Sequence, residues 1–133
     1  GMLSGYYHDV VKKLVMLCPA TSLKQDALDG TCMGVTYDPN HIPETVQLGP
    51  NTLGGLYFRI AQTLPIYEVT GQFTGPALAL IGGQDNIVHA EDIRKYGEIM
   101  SHCQVTEWPT LDHGLGGEEQ ELAVEQVVEF LKG

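Results

Sequence analysis

The run Ala77-Leu78-Ala79-Leu80-Ile81 has no polar position on either side. Alternation would mark a strand with one wet face. An unbroken apolar run of this length marks a strand buried on both faces, as a parallel sheet requires. Leu14-Val15-Met16-Leu17-Cys18 is a second such run, closed by Pro19, which has no N–H to give a sheet ladder. Periodicity alone also admits a short helix there, but length and β-branched content favour a strand. Gln104 to Trp108 is the third strand candidate. Before it, Ala90 to Met100 reads as a helix with Ile93, Tyr96 and Met100 facing inward and Glu91 and Asp92 near its positive end. The last segment, Glu118 to Leu131, places Val124, Val127, Val128 and Leu131 at i, i+3, i+4 and i+7, a core-facing helical stripe. Met2 to Tyr7 has helical composition. Strands alternating with helices predict an α/β fold around a parallel sheet.

Residues 21 to 75 break this rhythm. Ser22 to Leu28 reads as a short helix with Ser22 as N-cap and Gly30 as its stop. Val35-Thr36-Tyr37 and Glu44 to Leu48 are short strand candidates separated by the turn Asp38-Pro39-Asn40, and Gly49-Pro50-Asn51 turns the chain again. Leu56 to Leu64 is helical, and Pro65 opens another short helix through Val69. Small elements punctuated by Gly and Pro between two buried strands predict an insertion over 21–75, not an ordinary crossover. The whole, 1–133, reads as one domain by length.

Composition narrows the partners. Seven basic against seventeen acidic residues give a net charge of −10, which argues against nucleic acid and anionic membranes, both of which need clustered Lys and Arg. No apolar run is long enough to span a bilayer and no signal peptide opens the chain. Cys18, Cys32 and Cys103 are odd in number and widely spaced, so a disulfide framework or a zinc site is not expected and a cytoplasmic location fits. The five histidines show no metal-binding spacing, and no cofactor is expected. Gly1 ahead of Met2 reads as an added residue before the natural start.

The chemistry lies at the strand ends. Asp85 follows Gly82-Gly83 off one strand, and His113 follows the next, in Leu111-Asp112-His113-Gly114. Sites of open α/β sheets form at the carboxyl ends of parallel strands. A carboxylate that orients a histidine is two thirds of a hydrolytic triad. Each residue has a plainer reading: Asp85 as a loop Asp capping the next segment, His113 as a turn histidine. Their order and spacing, acid then histidine after successive late strands, favour the pair as a hydrolase site.

Three stretches carry a more specific likeness. Leu14 to Ala20, the Gly-x-x-Asp-x-x-Val of Gly82 to Val88, and Leu111-Asp112-His113 resemble the C-terminal half of an α/β-hydrolase. Within the insertion, Gly34-Val35-Thr36-Tyr37-Asp38-Pro39, Thr52-Leu53-Gly54-Gly55-Leu56-Tyr57 and Arg59 to Val69 resemble bacterial cinnamoyl (feruloyl) esterases. The resemblance covers essentially the whole chain. It implies a partial α/β-hydrolase fold, about three parallel core strands flanked by helices, with the insertion as a lid over the acyl pocket. It also implies that Asp85 and His113 are the family's acid and histidine. Asp26 and Tyr57 match lid positions that contact the phenolic end of a small ester substrate. Their plainer readings are a solvated helix face and a core aromatic. Met33 departs from the pattern, since a polar Gln is expected there, and a thioether is a poor hydrogen-bond partner.

The larger departure is the nucleophile. The family uses a Ser in G-x-S-x-G on a strained turn, and no such motif occurs. The only serines are Ser4, Ser22 and Ser101, and Ser4 has the wrong spacing. By resemblance Ser4 falls on the helix after the elbow. The nucleophile, the oxyanion loop and the first five strands would then lie ahead of this chain. Cys18 ends a buried strand and reads as an inert core thiol, and nothing places Cys32 beside His113, so neither is expected to substitute. The expectation is a truncated carboxylester hydrolase, silent alone. The alternatives are a non-catalytic binding or assembly module, or half of a site completed by an N-terminal partner chain. Strand 14–18 would lack one neighbour, and an unpaired apolar edge predicts a homodimer through that edge.

Overall fold

The computed structural model describes all 133 residues, Gly1–Gly133. In chain order the elements are α1 (Met2–Tyr6), β1 (Leu14–Leu17), α2 (Leu23–Asp29), β2 (Thr31–Cys32), β3 (Val35–Thr36), β4 (Thr45–Leu48), β5 (Asn51–Gly54), α3 (Gly55–Ala61), α4 (Ile66–Thr70), β6 (Ala77–Gly82), α5 (Ala90–Ile99), β7 (Cys103–Trp108) and α6 (Gln120–Lys132). They divide into two compact units, one of residues 1–21 with 66–133, the other of residues 22–65. Residues 66–75, including α4, belong to the first unit.

The first unit is built on a parallel sheet of order β1-β6-β7. Leu14 to Leu17 run opposite Ala77 to Leu80, and Ala77 to Gly82 run opposite Cys103 to Trp108. All six residues of β6 are buried, which is why its sequence has no polar position. Leu78 and Leu80 are fully buried with Leu111 and Ala123, and Val15, Trp108, Leu115, Val127 and Phe130 pack against them. Burying a leucine side chain contributes about 1.5–3 kcal/mol, so this cluster is the main anchor of the sheet. Polar ties add direction: Trp108 Nε1 donates to Gln126 Oε1 at 3.1 Å, and Gln126 Nε2 donates to Thr106 Oγ1 at 2.8 Å, fixing α6 on β7. Ile93, Tyr96 and Met100 are buried as expected. The Tyr67 ring lies 5.4 Å from that of Tyr96 and its hydroxyl donates to the Asp92 carbonyl at 2.6 Å.

The face of α6 differs from expectation. Ala123, Val127 and Phe130 meet the sheet, whereas Val124, Val128 and Leu131 are exposed at 53, 40 and 53 %. Spacing identifies the apolar arc of a helix but not how much of that arc its neighbours cover. Here the arc is wider than the cover. Leu17, Leu80, Leu115, Val124 and Val128 line a shallow apolar groove of about 240 Å³ beside it. No helix is long and apolar enough to cross a membrane.

The second unit is two antiparallel hairpins and two helices. Helix α2 stops at Gly30, whose φ of 78° is the left-handed conformation that a Cβ disfavours. Ser22 holds the N-cap position but its side chain makes no capping bond, because its backbone is already helical there. Strands β2 and β3 join through Met33 and Gly34, both at positive φ, the requirement of a tight two-residue hairpin. Strands β4 and β5 pair Leu48 with Asn51 across Gly49-Pro50. Phe58 of α3 is buried, with the Tyr37 ring tilted against it at 4.8 Å and Tyr57 edge-on at 5.1 Å. Gln62 Nε2 donates to the carbonyls of Ala27 and Pro39, both at 3.0 Å, tying α2 to the loop after β3.

Candidate active site

Two close backbone approaches create the site in the first unit. A Cβ on Gly82 would stand 2.6 Å from the Leu111 carbonyl oxygen, and one on Gly83 would stand 2.7 Å from Pro109. Only glycines let the end of β6 lie this close to the chain leaving β7. The contact is closed by hydrogen bonds from Gly83 N to Trp108 O and from Gln84 N to Leu111 O, both 2.9 Å. The loops after β6 and β7 are therefore held side by side, and they carry Asp85 and His113.

Asp85 makes two sets of contacts. Its Oδ1 accepts from the backbone N–H of Ile87 at 2.8 Å and of Val88 at 3.0 Å, capping the next turn. Its Oδ2 lies 2.9 Å from His113 Nδ1. The Asp85 side chain is 2 % exposed and that of His113 38 %. Burial pushes the Asp85 carboxyl upward, but the Val88 N–H, His113 and the Ile87 N–H together outweigh it and hold the group below its ordinary range. With the carboxylate ionised, Nδ1 carries the ring proton and Nε2 is left as the free basic nitrogen. That is the tautomer a general base needs.

The histidine loop is stapled independently of Asp85. Leu111 is fully buried and anchors it. Asp112 Oδ1 accepts from the N–H of Gly114 at 2.9 Å and of Gly116 at 2.8 Å. Glu119 Oε2 accepts from Thr110 N and Thr110 Oγ1 at 2.9 and 2.8 Å. Asp112 and Glu119 were not singled out in the sequence. The signal was there in Asp112-His113-Gly114, the pattern of an Asx turn.

Cys18 is a buried thiol, as its place at the end of an apolar strand suggests. It sits just past the end of β1, and its thiol donates to the Asp112 carbonyl oxygen, with Sγ 3.8 Å away. Burial first, and then the Asp85 and Asp112 charges, push the thiol up and disfavour the thiolate, which is the nucleophilic form. Burial and then the charge of Asp26 act likewise on Cys32. Ser4 lies on α1 and its hydroxyl donates to the Gly1 carbonyl at 2.6 Å. No cluster of three or more His, Cys, Asp or Glu is arranged to hold a metal ion.

Asp26 and Tyr57 both lie in the second unit, on α2 and α3. They meet around a residue the sequence did not single out. Burial raises the Tyr37 phenol, followed by the neighbouring Cys32, Asp26 and Tyr57. Its hydroxyl oxygen is buried without a hydrogen-bond partner. Burial and then Cys32 raise Tyr57 as well. Met33 is 68 % exposed at its hairpin tip.

No family model matches the sequence, and no curated protein matches it. Solved structures do. Est1E from Butyrivibrio proteoclasticus matches in two structures. One, with ferulic acid bound, has a TM-score of 0.91 and 28 % identity over 98 % of this chain and 52 % of Est1E. The other has a TM-score of 0.90 and 30 % identity over 98 % and 54 %. The Pyrococcus furiosus esterase Pf2001 shares the fold alone, with a TM-score of 0.57 and 16 % identity over 98 % of this chain and 48 % of its own. The chain spans about half the length of the Est1E chain it matches.

Proposed function

We propose that this chain, which carries part of the α/β-hydrolase fold and matches about half of Est1E, supplies the acid and base of a carboxylester hydrolase. The observation that carries this reading is the 2.9 Å contact between the sheltered Asp85 carboxylate and Nδ1 of the more exposed His113. In the reaction, His113 Nε2 takes the proton of an attacking hydroxyl and returns it to the leaving alcohol, while Asp85 holds the ring and stabilises the imidazolium. The nucleophile and oxyanion donors come from residues outside these 133, so the chain alone is silent toward esters. Asp26 and Tyr57, with Tyr37 beside them, recognise the phenolic end of a hydroxycinnamoyl group. Ferulic acid bound to Est1E supports that substrate class. Met33 in place of a polar residue weakens the preference for hydroxylated rings. Three free cysteines support a reducing compartment, the cytoplasm.

The test is hydrolysis of an aryl acetate and of methyl ferulate, first by the chain alone and then with the N-terminal half of Est1E added. Activity in the mixture that His113→Ala removes supports the proposal. Activity of the chain alone that His113→Ala removes overturns the silent half-site, and activity unaffected by His113→Ala overturns the assignment of the base.

A second reading is an assembly module. Strand β1 pairs only with β6 and leaves its other edge open, with Leu17 exposed. We propose that two copies pair these edges antiparallel about a two-fold axis, giving a homodimer with one continuous sheet.

A further inference from the structure

The uncovered apolar stripe of α6 has a specific place beside the sheet. Val15 and Leu17 stand opposite Leu78 and Leu80 in register, so the four share one face, the face on which α6 packs. Gln126 binds Trp108 and Thr106, which draws one flank of α6 toward β7. The groove lined by Leu17, Leu80, Val124 and Val128 therefore lies on the other flank, nearer β1, the strand with the open edge. Lys13 Nζ donates to the carbonyls of Phe130 at 2.8 Å and Leu131 at 3.1 Å, so α6 ends beside the start of β1 and runs antiparallel to it. Leu131, seven residues after Val124, continues the stripe toward that end. The stripe thus follows the open edge along its length.

We propose that this stripe docks α6 of a second copy. The inference rests on the edge-paired homodimer and names the surface that holds it. Antiparallel pairing of two β1 edges requires a two-fold axis perpendicular to the sheet, which leaves the same face of both copies on one side. The two α6 helices then flank a single seam, antiparallel to each other, with Leu17 of each copy between them. A four-residue edge is too short to hold a dimer alone, since a specific interface buries about 800 Å² on each partner. The facing stripes supply further apolar area. Charge favours the same partner. The first turn of α6 carries Glu121 and the last turn Lys132. Glu121 precedes Val124 by three residues and Lys132 follows Val128 by four, so both lie on the side of the stripe. Antiparallel helices set each first turn against the other's last turn, and Glu121 meets the partner's Lys132. In a chain of net charge −10, this seam opposes unlike charges where most self-contacts would repel.

Sedimentation equilibrium on the chain as it stands measures the dimer dissociation constant. Val128→Glu is expected to raise it at least about thirtyfold, the effect of losing one hot-spot residue. Leu122→Glu puts the same charge on an exposed position of α6 outside the groove and is expected to change it by less than about twofold. Glu121→Lys and Lys132→Glu are each expected to weaken the dimer, and together to restore it. A dimer that survives Val128→Glu but not Leu17→Lys keeps the paired edge and overturns the helix contact alone. A dimer that survives Leu17→Lys overturns the edge reading, and this contact with it. Equal weakening by Leu122→Glu, or no recovery in the charge swap, also overturns the contact. A monomeric parent that binds the N-terminal half of Est1E, and loses it in Val128→Glu, assigns the stripe to that half and overturns the second copy. If Val128→Glu does not fold, Val124→Glu takes its place under the same criteria, and failure of both to fold marks core positions and overturns the inference.

Discussion

Thr110 and Glu119 hold each other reciprocally. Glu119 Oε2 accepts from both the N–H and the hydroxyl of Thr110, and the Glu119 N–H donates back to Thr110 Oγ1 at 3.2 Å. The pair ties the start of the histidine loop to the start of α6, a helix whose face on the sheet is part of the core. The rigidity of His113 is thus borrowed from the core.

Thr110→Ala removes one hydroxyl that serves as both donor and acceptor. The expected cost is about 1–2 kcal/mol, a fall in Tm of roughly 3–6 °C for a chain of this length. Hydrogen exchange should accelerate over residues 110–117 more than over β6. Uniform acceleration would mean the strap is not local.

Acid stability follows from Asp85. Its carboxyl lies below its ordinary value of 3.8 in the folded chain, so it binds fewer protons than in the unfolded one near that pH. Its contribution is fully present above about pH 5, since protonation of the unfolded group is then negligible. It is lost as pH falls below 3.8 through the depressed folded value. Asp85→Asn should lower stability at neutral pH and flatten the acid limb of a Tm-against-pH curve. Parallel curves for parent and variant would exclude Asp85 as a source of the limb.

Leu17→Lys tests the open edge. Leu17 is 48 % exposed at the end of β1, and a charge placed on an edge strand opposes pairing. The parent is expected to be a dimer in light scattering, and the variant a monomer with an unchanged far-ultraviolet spectrum. A monodisperse monomeric parent overturns the homodimer.

Leu78→Ala probes the core. Leu78 is fully buried among Leu80, Leu111 and Ala123. Truncation should cost about 2–5 kcal/mol, a large part of the roughly 5–15 kcal/mol that holds a domain together. Urea unfolding measures it, and a cost under about 1 kcal/mol would mean the site collapses around the smaller side chain.

What the sequence disclosed depended on how local the cause was. Strand β6 was legible because burial on both faces demands an apolar residue at every position. That Asp85 and His113 lie together was legible because order and spacing survive in one dimension. The exposed side of α6 was not, since Val124 and Val127 look alike until the neighbours that cover one and not the other are in place. Strands β2 and β5 were missed because a two-residue strand has no period, and β5 follows directly on the turn at Gly49-Pro50. Tyr37 was passed over because its neighbours Asp26, Cys32 and Tyr57 are mostly distant in sequence.

The division of the Asp85 carboxylate has a further consequence. One oxygen is committed to the amides of Ile87 and Val88 and the other to the imidazole, so the group cannot turn without breaking three contacts together. The direction of the His113 ring is therefore set by two backbone amides that never touch it, on a loop some 28 residues upstream. Inserting a residue between Asp85 and Val88 would re-aim the imidazole while leaving both residues of the pair in place.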